Sequence, residues 1–216
     1  MGEQGASGSQ GFDWMELAHT ASTFVLLNML WLFCSLLIIT MPAATAALFA
    51  TLAPWGRGQS PSEPLANFFA AMRQYGLRAT AVFLLDFLMT GFVILNLLIL
   101  RQMGTGQIMA IMALTVTVLI AVTLILANVY FWPLLVTLDS SLPDLLKNAF
   151  KLAIVHPFWG LLVAGTAVIP LIVSLLLPQA FFITITFAAT ALIIYAGAWR
   201  VIRRYLNEKE IHNFGV

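Results

Sequence analysis

A chain of 216 residues that is 61% hydrophobic and only 9% charged cannot clothe a water-facing surface, because soluble domains carry about 25% charged residues. The net charge of +1, from ten Lys and Arg against nine Asp and Glu, argues against a nucleic-acid binder, which would show a concentrated basic face. The single cysteine, Cys34, rules out an internal disulfide and leaves the redox compartment unread.

Residues 1–16 read as a flexible N-terminal tail, since Met1–Gly11 is rich in Gly, Ser and Gln. No Lys or Arg precedes the first apolar run, and that run is too long for a signal-peptide core, so an uncleaved membrane anchor is expected. Ala6 stands where a myristoylation motif needs Ser or Thr.

Residues 17–204 read as one integral membrane domain. A crossing helix needs roughly 20 mainly apolar residues, and five stretches qualify. The first, about 20–53, lies inside Leu17–Gly56, which has no Asp, Glu, Lys or Arg. As one helix it would reach roughly 50 Å, well beyond the bilayer, so Pro42 is expected to kink it. The small residues Ala43-Ala44-Thr45-Ala46-Ala47 after the proline allow close helix approach. A kinked span followed by a helix lying against its neighbours is the expectation. A short second crossing is the alternative, and it would put the N-terminus inside.

Ser60-Pro61-Ser62-Glu63 is a helix-start signature. Leu65, Phe68, Phe69, Met72 and Gly76 then form an apolar stripe, with Asn67, Arg73, Gln74 and Arg78 away from it. This predicts an amphipathic surface helix before a second span at 79–100. A third span follows at 108–135. The next loop repeats the design: Ser141 and Asp144 can cap reciprocally around Pro143, and Leu145, Leu146, Ala149, Phe150 and Ala153 make the apolar face. Asp144, Lys147, Asn148 and Lys151 share the other. His156 precedes Pro157, which disfavours helix there. The fourth span, 157–177, joins the fifth, 179–201, through Leu177-Pro178-Gln179, and residues 205–216 are a tail. The fold class is therefore an all-α polytopic bundle of about five spans with two cytoplasmic amphipathic helices.

The basic residues orient it. Arg57, Arg73, Arg78, Lys147, Lys151, Arg200, Arg203, Arg204 and Lys209 fall in alternate connections or the C-terminal tail, and only Arg101 falls in the other set. Loops rich in Lys and Arg stay cytoplasmic. The C-terminus is then cytoplasmic and, with five spans, the N-terminus external. Trp55, Trp132, Trp159 and Trp199 lie near the cytoplasmic ends of four spans, at the headgroup level that amphipathic rings prefer.

For chemistry, Asp86 is the one acidic residue inside a span, some seven residues into the second. An intramembrane carboxylate is by default a functional candidate. Ion or proton coupling competes there with structural pairing, to Asn128, a hydroxyl or a partner subunit, and pairing is favoured because no second buried charge accompanies it. Asn28, Asn96 and Asn128 are explained by interhelical hydrogen bonding. Trp31 and Thr40 are candidates to line a cavity, with helix packing the plainer reading. His19, His156 and His212 lie in separate regions, without a carboxylate or Cys at metal-ligand spacing. No phosphate loop and no activated nucleophile is evident, so neither enzyme activity nor a cofactor is expected.

Asn28-Met29-Leu30-Trp31 followed by Thr40-Met41-Pro42-Ala43-Ala44-Thr45-Ala46-Ala47-Leu48 resembles the N-terminal signature of the YesL-like family of bacterial membrane proteins. Phe68-Phe69-Ala70-Ala71-Met72-Arg73-Gln74-Tyr75 resembles the segment before that family's second span. Pro133-Leu134-Leu135, Asp139 and Leu145-Leu146-Lys147-Asn148-Ala149 resemble its central loop. The chain departs from the family's usual Pro shortly before Thr40 and from Gly-Pro at Pro42-Ala43. The resemblance implies a five-span protein of the bacterial cell membrane, with no established activity, often encoded beside genes for carbohydrate uptake and degradation.

Two functions follow as expectations. One is an accessory or regulatory membrane component working with a carbohydrate ABC uptake system, with Arg73, Arg78, Lys147 and Lys151 on the docking side. The other is a small oligomeric transporter or channel using Asp86 and the broken first span, since discontinuous helices often frame substrate sites. The lipid bilayer is a partner in both.

Overall fold

The computed structural model describes residues 14–59, 63–103, 108–178 and 184–206. Among them are seven helices: α1 (Trp14–Ser35), α2 (Met41–Gly56), α3 (Pro64–Met103), α4 (Ile108–Thr137), α5 (Leu142–Val155), α6 (Pro157–Leu176) and α7 (Thr186–Ile202). No strand occurs among the described residues. By length and composition α1, α3, α4 and α6 are apolar enough to cross a membrane, and α7 is a shorter apolar helix. Residues 1–13 of the expected N-terminal tail, the cap at residues 60–62, the start of the fifth stretch at 179–183 and the C-terminal tail from 207 lie outside the described residues, and residues 14–16 open α1.

The first apolar stretch is not one kinked span. α1 stops at Ser35, Leu36–Thr40 form a turn, and α2 starts at Met41. Pro42 sits in the first turn of α2, where its missing N–H leaves no hydrogen bond unmade. It therefore starts a helix and does not bend one. Two contacts show that α2 runs back along α1. Trp31 Nε1 donates to Thr45 Oγ1 at 3.1 Å, and Phe24 stacks on Trp55 with ring centroids 4.7 Å apart. The residues advance along one helix as they retreat along the other, so the pair is an antiparallel hairpin. Leu36, Leu37, Ile38 and Ile39 are exposed at its tip.

α2 is the centre of the molecule. Pro42, Ala43, Ala44, Ala46, Ala47, Leu48, Phe49, Thr51, Leu52 and Ala53 are all buried, against α1, α3, α4 and α7. Its alanines permit the close backbone approach that drives helix association where neither neighbour is more apolar than lipid. The helix ends in a glycine turn. Gly58 has φ +83°, a conformation that costs other residues a steric penalty. Gln59 N donates to Pro54 O at 2.9 Å and Gly58 N to Trp55 O at 3.0 Å, closing the last carbonyls in a Schellman pattern.

The surface helix expected around Leu65–Arg78 and the span expected at 79–100 are one continuous helix, α3, of 40 residues. Gly76 alone, at a cost of roughly 1 kcal/mol, does not break a helix, and no proline follows Pro64 before the end of α3. At 1.5 Å per residue α3 is about 60 Å long, so a large part lies outside any single crossing. Its buried residues are Phe68, Ala71, Ala79, Val82 and Val93. Leu65 and Phe69 of the expected stripe are about half exposed.

α5 starts as its sequence suggests, with the Ser141 hydroxyl accepting from Asp144 N. Leu145, Ala149, Leu152 and Ala153 are buried, and Phe150 meets Phe131 of α4 edge-on at 5.7 Å. α6 and α7 pack antiparallel. Trp159 Nε1 donates to Gly197 O at 2.9 Å, and Thr190 Oγ1 reaches Ala167 O at 3.4 Å. Towards the Arg101 end, side chains such as Leu84, Phe87, Leu88, Phe92 and Leu95 of α3 and Ile108, Met112, Val116 and Leu119 of α4 are exposed. Apolar exposure on that scale suits a surface that faces lipid, because water would penalise it heavily.

Candidate functional site

Three polar constellations stand out against this apolar background. The first is built around Asn28, which is fully buried on α1. Its Oδ1 accepts from the backbone N–H of Phe187 at 2.9 Å and of Ala188 at 3.0 Å. These are first-turn amides of α7, which have no carbonyl partner within their own helix. Helices usually cap such groups with a side chain just before the helix, but Ile185 at the N-cap offers none. A residue about 160 positions earlier supplies the acceptor instead. One turn further along α1, Trp31 stacks on Phe187 at 4.1 Å and donates to Thr45. Asn28 and Trp31 thus tie α1, α2 and the start of α7 together. Thr40 closes the end of α1, its hydroxyl donating to the carbonyls of Cys34 and Leu37.

The second constellation is a pair. Asn128 Nδ2 donates to Asp86 Oδ1 at 2.7 Å and also lies 3.1 Å from Leu124 O. Both residues are half-buried. Asp86 is near the middle of α3 and Asn128 about two and a half turns from the end of α4, so the antiparallel course of the two helices brings acid and amide to one depth. A carboxylate that accepts from an amide is satisfied on one oxygen without a cation.

The third occupies the end of the bundle where α2, α4 and α7 finish. Arg57 Nη1 donates to Tyr195 Oη at 3.1 Å, and Tyr195 Oη lies 3.2 Å from Thr137 Oγ1. With the arginine as donor, the phenol is free to donate to Thr137. The Arg57 guanidinium also sits 5.9 Å from the Trp199 ring centroid, and that of Arg200 sits 5.8 Å from Trp159, both within cation–π range. Gly56 makes this packing possible, because a Cβ there would lie 2.3 Å from Tyr195 Cδ1. Arg78 pairs with Asp139 at 3.0 Å across an exposed gap, and His156 Nε2 lies 2.8 Å from Tyr205 Oη. Arg73, Lys147 and Lys151 are exposed on α3 and α5.

The residues singled out from sequence therefore separate. Asn28, Trp31, Thr40 and Pro42 belong to the α1–α2 hairpin and its grip on α7, Asp86 and Asn128 form their own pair, and the basic residues lie elsewhere. Tyr195, Thr137 and Gly56 were not anticipated. A tyrosine and a threonine in otherwise aliphatic runs were the available signal, and neither reveals its partner. Among the described residues no group of three His, Cys, Asp or Glu side chains could hold a metal ion.

Residues 24–97, about a third of the chain, match the model of a family described as "Protein of unknown function, DUF624". The YesL-like resemblance is compatible with that match. The matched stretch contains Asn28, Trp31, all of α2 and the Asp86 half of the acid–amide pair. No curated protein and no solved structure matches the chain.

Proposed function

We propose that this chain is a non-catalytic membrane component, accessory or regulatory in role, that offers the basic end of its helix bundle to a cytoplasmic partner. The observation that carries the reading is the convergence of basic side chains from separate segments. Arg57 after α2 and Arg200 on α7 are held against tryptophans at one end, Arg78 is tied there to the α4–α5 connection, and Lys147 and Lys151 project from α5. Arg101 is at the far end of α3. An end so charged belongs on the cytoplasmic side.

In this reading α1, α3, α4, α6 and α7 cross the membrane, α2 recrosses it beside α1 as a short second crossing, and α5 and the start of α3 are cytoplasmic. The hairpin favours a cytoplasmic N-terminus, the arrangement in which α2 is a short second crossing. Phe24 and Trp55 stack near the end of α2 that leads into Arg57, so the start of α1 lies at the basic end. Reporters fused before Met1 and after Val216 should both read as cytoplasmic. An external N-terminal signal would refute the second crossing by α2.

Association with a carbohydrate ABC uptake system is the form of this role that the YesL-like resemblance suggests. Affinity purification of the tagged chain in mild detergent should enrich a component of such a system, and Lys147→Glu should weaken the recovery. Recovery of no transport component by the wild-type chain would refute the association.

The alternative, a small oligomeric transporter or channel, has less support. One Asp86 oxygen is taken up by Asn128, and the α7 N-terminus, the kind of helix end that receives an anionic substrate in discontinuous helices, is capped by Asn28. Flux in reconstituted vesicles that fell with Asp86→Asn would revive it.

A further inference from the structure

At the basic end, a cleft of about 240 Å³ lies between the last turns of α4, the second half of α5 and the residues that follow α7. Leu134, Leu152 and Ile202 line its floor, and Asn148, Lys151 and Tyr205 line the polar side. The remaining lining is aliphatic. Leu152 and Ile202 are buried while Lys151 is exposed, so the cleft runs from an apolar interior to a cationic mouth.

The charges around that mouth are unbalanced. Among the described residues Lys151 has no ion-pair partner, and the one ion pair at this end joins Arg78 to Asp139. The one carboxylate of α5, Asp144, lies two turns before Lys151 at the helix start, where it accepts from the Ser141 hydroxyl. Lys147, one turn before Lys151, and Arg203 and Arg204, beside Ile202, add positive charge. The Tyr205 phenol is engaged by His156 at 2.8 Å, which steadies the wall opposite α5.

From this geometry we infer that the cleft binds an anionic phospholipid of the adjacent leaflet, one acyl chain on the Leu134–Leu152–Ile202 floor and the phosphate against Lys151 and Asn148. Size argues for a lipid over a soluble metabolite. Pockets that enclose small molecules measure about 300–1,000 Å³, so this cleft holds only part of a ligand and the rest must stay outside, as the second chain of a lipid does in the bilayer. Basic pockets between membrane helices on the cytoplasmic face recognise anionic headgroups in this way. The inference needs only that this end of the bundle meets a membrane boundary, not that the chain has an accessory role.

The test is native mass spectrometry of the full chain in mild detergent, titrated with equimolar phosphatidylglycerol and phosphatidylethanolamine, and separately with inorganic phosphate. One phosphatidylglycerol per chain should be retained, at least about fivefold over phosphatidylethanolamine, a preference worth about 1 kcal/mol. Lys151→Glu should abolish the preference. Val155→Trp, which narrows the mouth without changing charge, should lower retention of the lipid. Arg73→Glu, the same charge reversal on α3, should leave both unchanged. Equal retention of the two lipids, equal loss in Arg73→Glu and Lys151→Glu, or saturation by inorganic phosphate alone would each overturn the assignment.

Discussion

Replacing Asn28 with Leu keeps the number and branching of side-chain heavy atoms but removes the acceptor that satisfies two amides of α7. The Phe187 and Ala188 N–H groups, at 2.9 and 3.0 Å from Asn28 Oδ1, would then face an apolar interior. A buried donor left without a partner costs about 1–3 kcal/mol, so the pair gives about 2–6 kcal/mol. An ordinary N-cap deletion costs about 0.5–2 kcal/mol, and the larger figure here reflects a fully buried site. On the scale of roughly 2–4 °C per kcal/mol for chains of this size, the melting point in detergent should fall by on the order of 5–20 °C. Asn28→Asp retains acceptor oxygens at a helix N-terminus, where negative charge is favoured, and should lose less. Hydrogen exchange gives the local readout, since protection should fall first across the opening turn of α7. A melting point within about 2 °C of wild type, a difference below about 1 kcal/mol, would refute the capping argument. So would loss of protection spread evenly over all helices.

Asp86→Asn keeps an oxygen able to accept from Asn128 and should change stability by less than about 1 kcal/mol, the usual worth of one interhelical hydrogen bond in a membrane bundle. Asp86→Leu breaks the pair and should cost more, read by thermal unfolding in the same detergent. Gly197→Ala would place a Cβ 2.5 Å from Val163 Cγ2 and 2.8 Å from its Cγ1, so overpacking should cost about 1–3 kcal/mol. Adding Val163→Ala should recover much of that loss, and failure of the double variant to melt above Gly197→Ala would show that the α6–α7 contact is misread.

What the sequence makes legible here is local chemistry. The start of α5 follows from Ser141, Pro143 and Asp144, because a capping hydroxyl and its amide are three residues apart. His156-Pro157 marks the boundary between α5 and α6 because a proline disfavours helical backbone at the residue before it. The first stretch is less transparent, since a proline reads alike at a kink and in a first turn. Contacts across the hairpin, Trp31 to Thr45 and Phe24 to Trp55, decide between them. Asp86 and Asn128 could be matched because both interrupt apolar runs at similar depth. Nothing in the sequence reveals that Asn28 serves backbone amides some 160 residues away, because the partners carry no side-chain signature. The same holds for Gly56, whose value lies in the ring that Tyr195 lays against it.

The account rests on one end of the bundle meeting the cytoplasm, and thiol labelling tests that most directly. Cys34 is the single native cysteine, so Cys34→Ala supplies a silent background for Gln102→Cys beyond the second expected span and Ser141→Cys before α5, both at exposed positions. With a membrane-impermeant maleimide on intact cells, Gln102→Cys should label and Ser141→Cys should label only after permeabilisation. Labelling of Ser141→Cys in intact cells with protection of Gln102→Cys would invert the orientation and contradict the account.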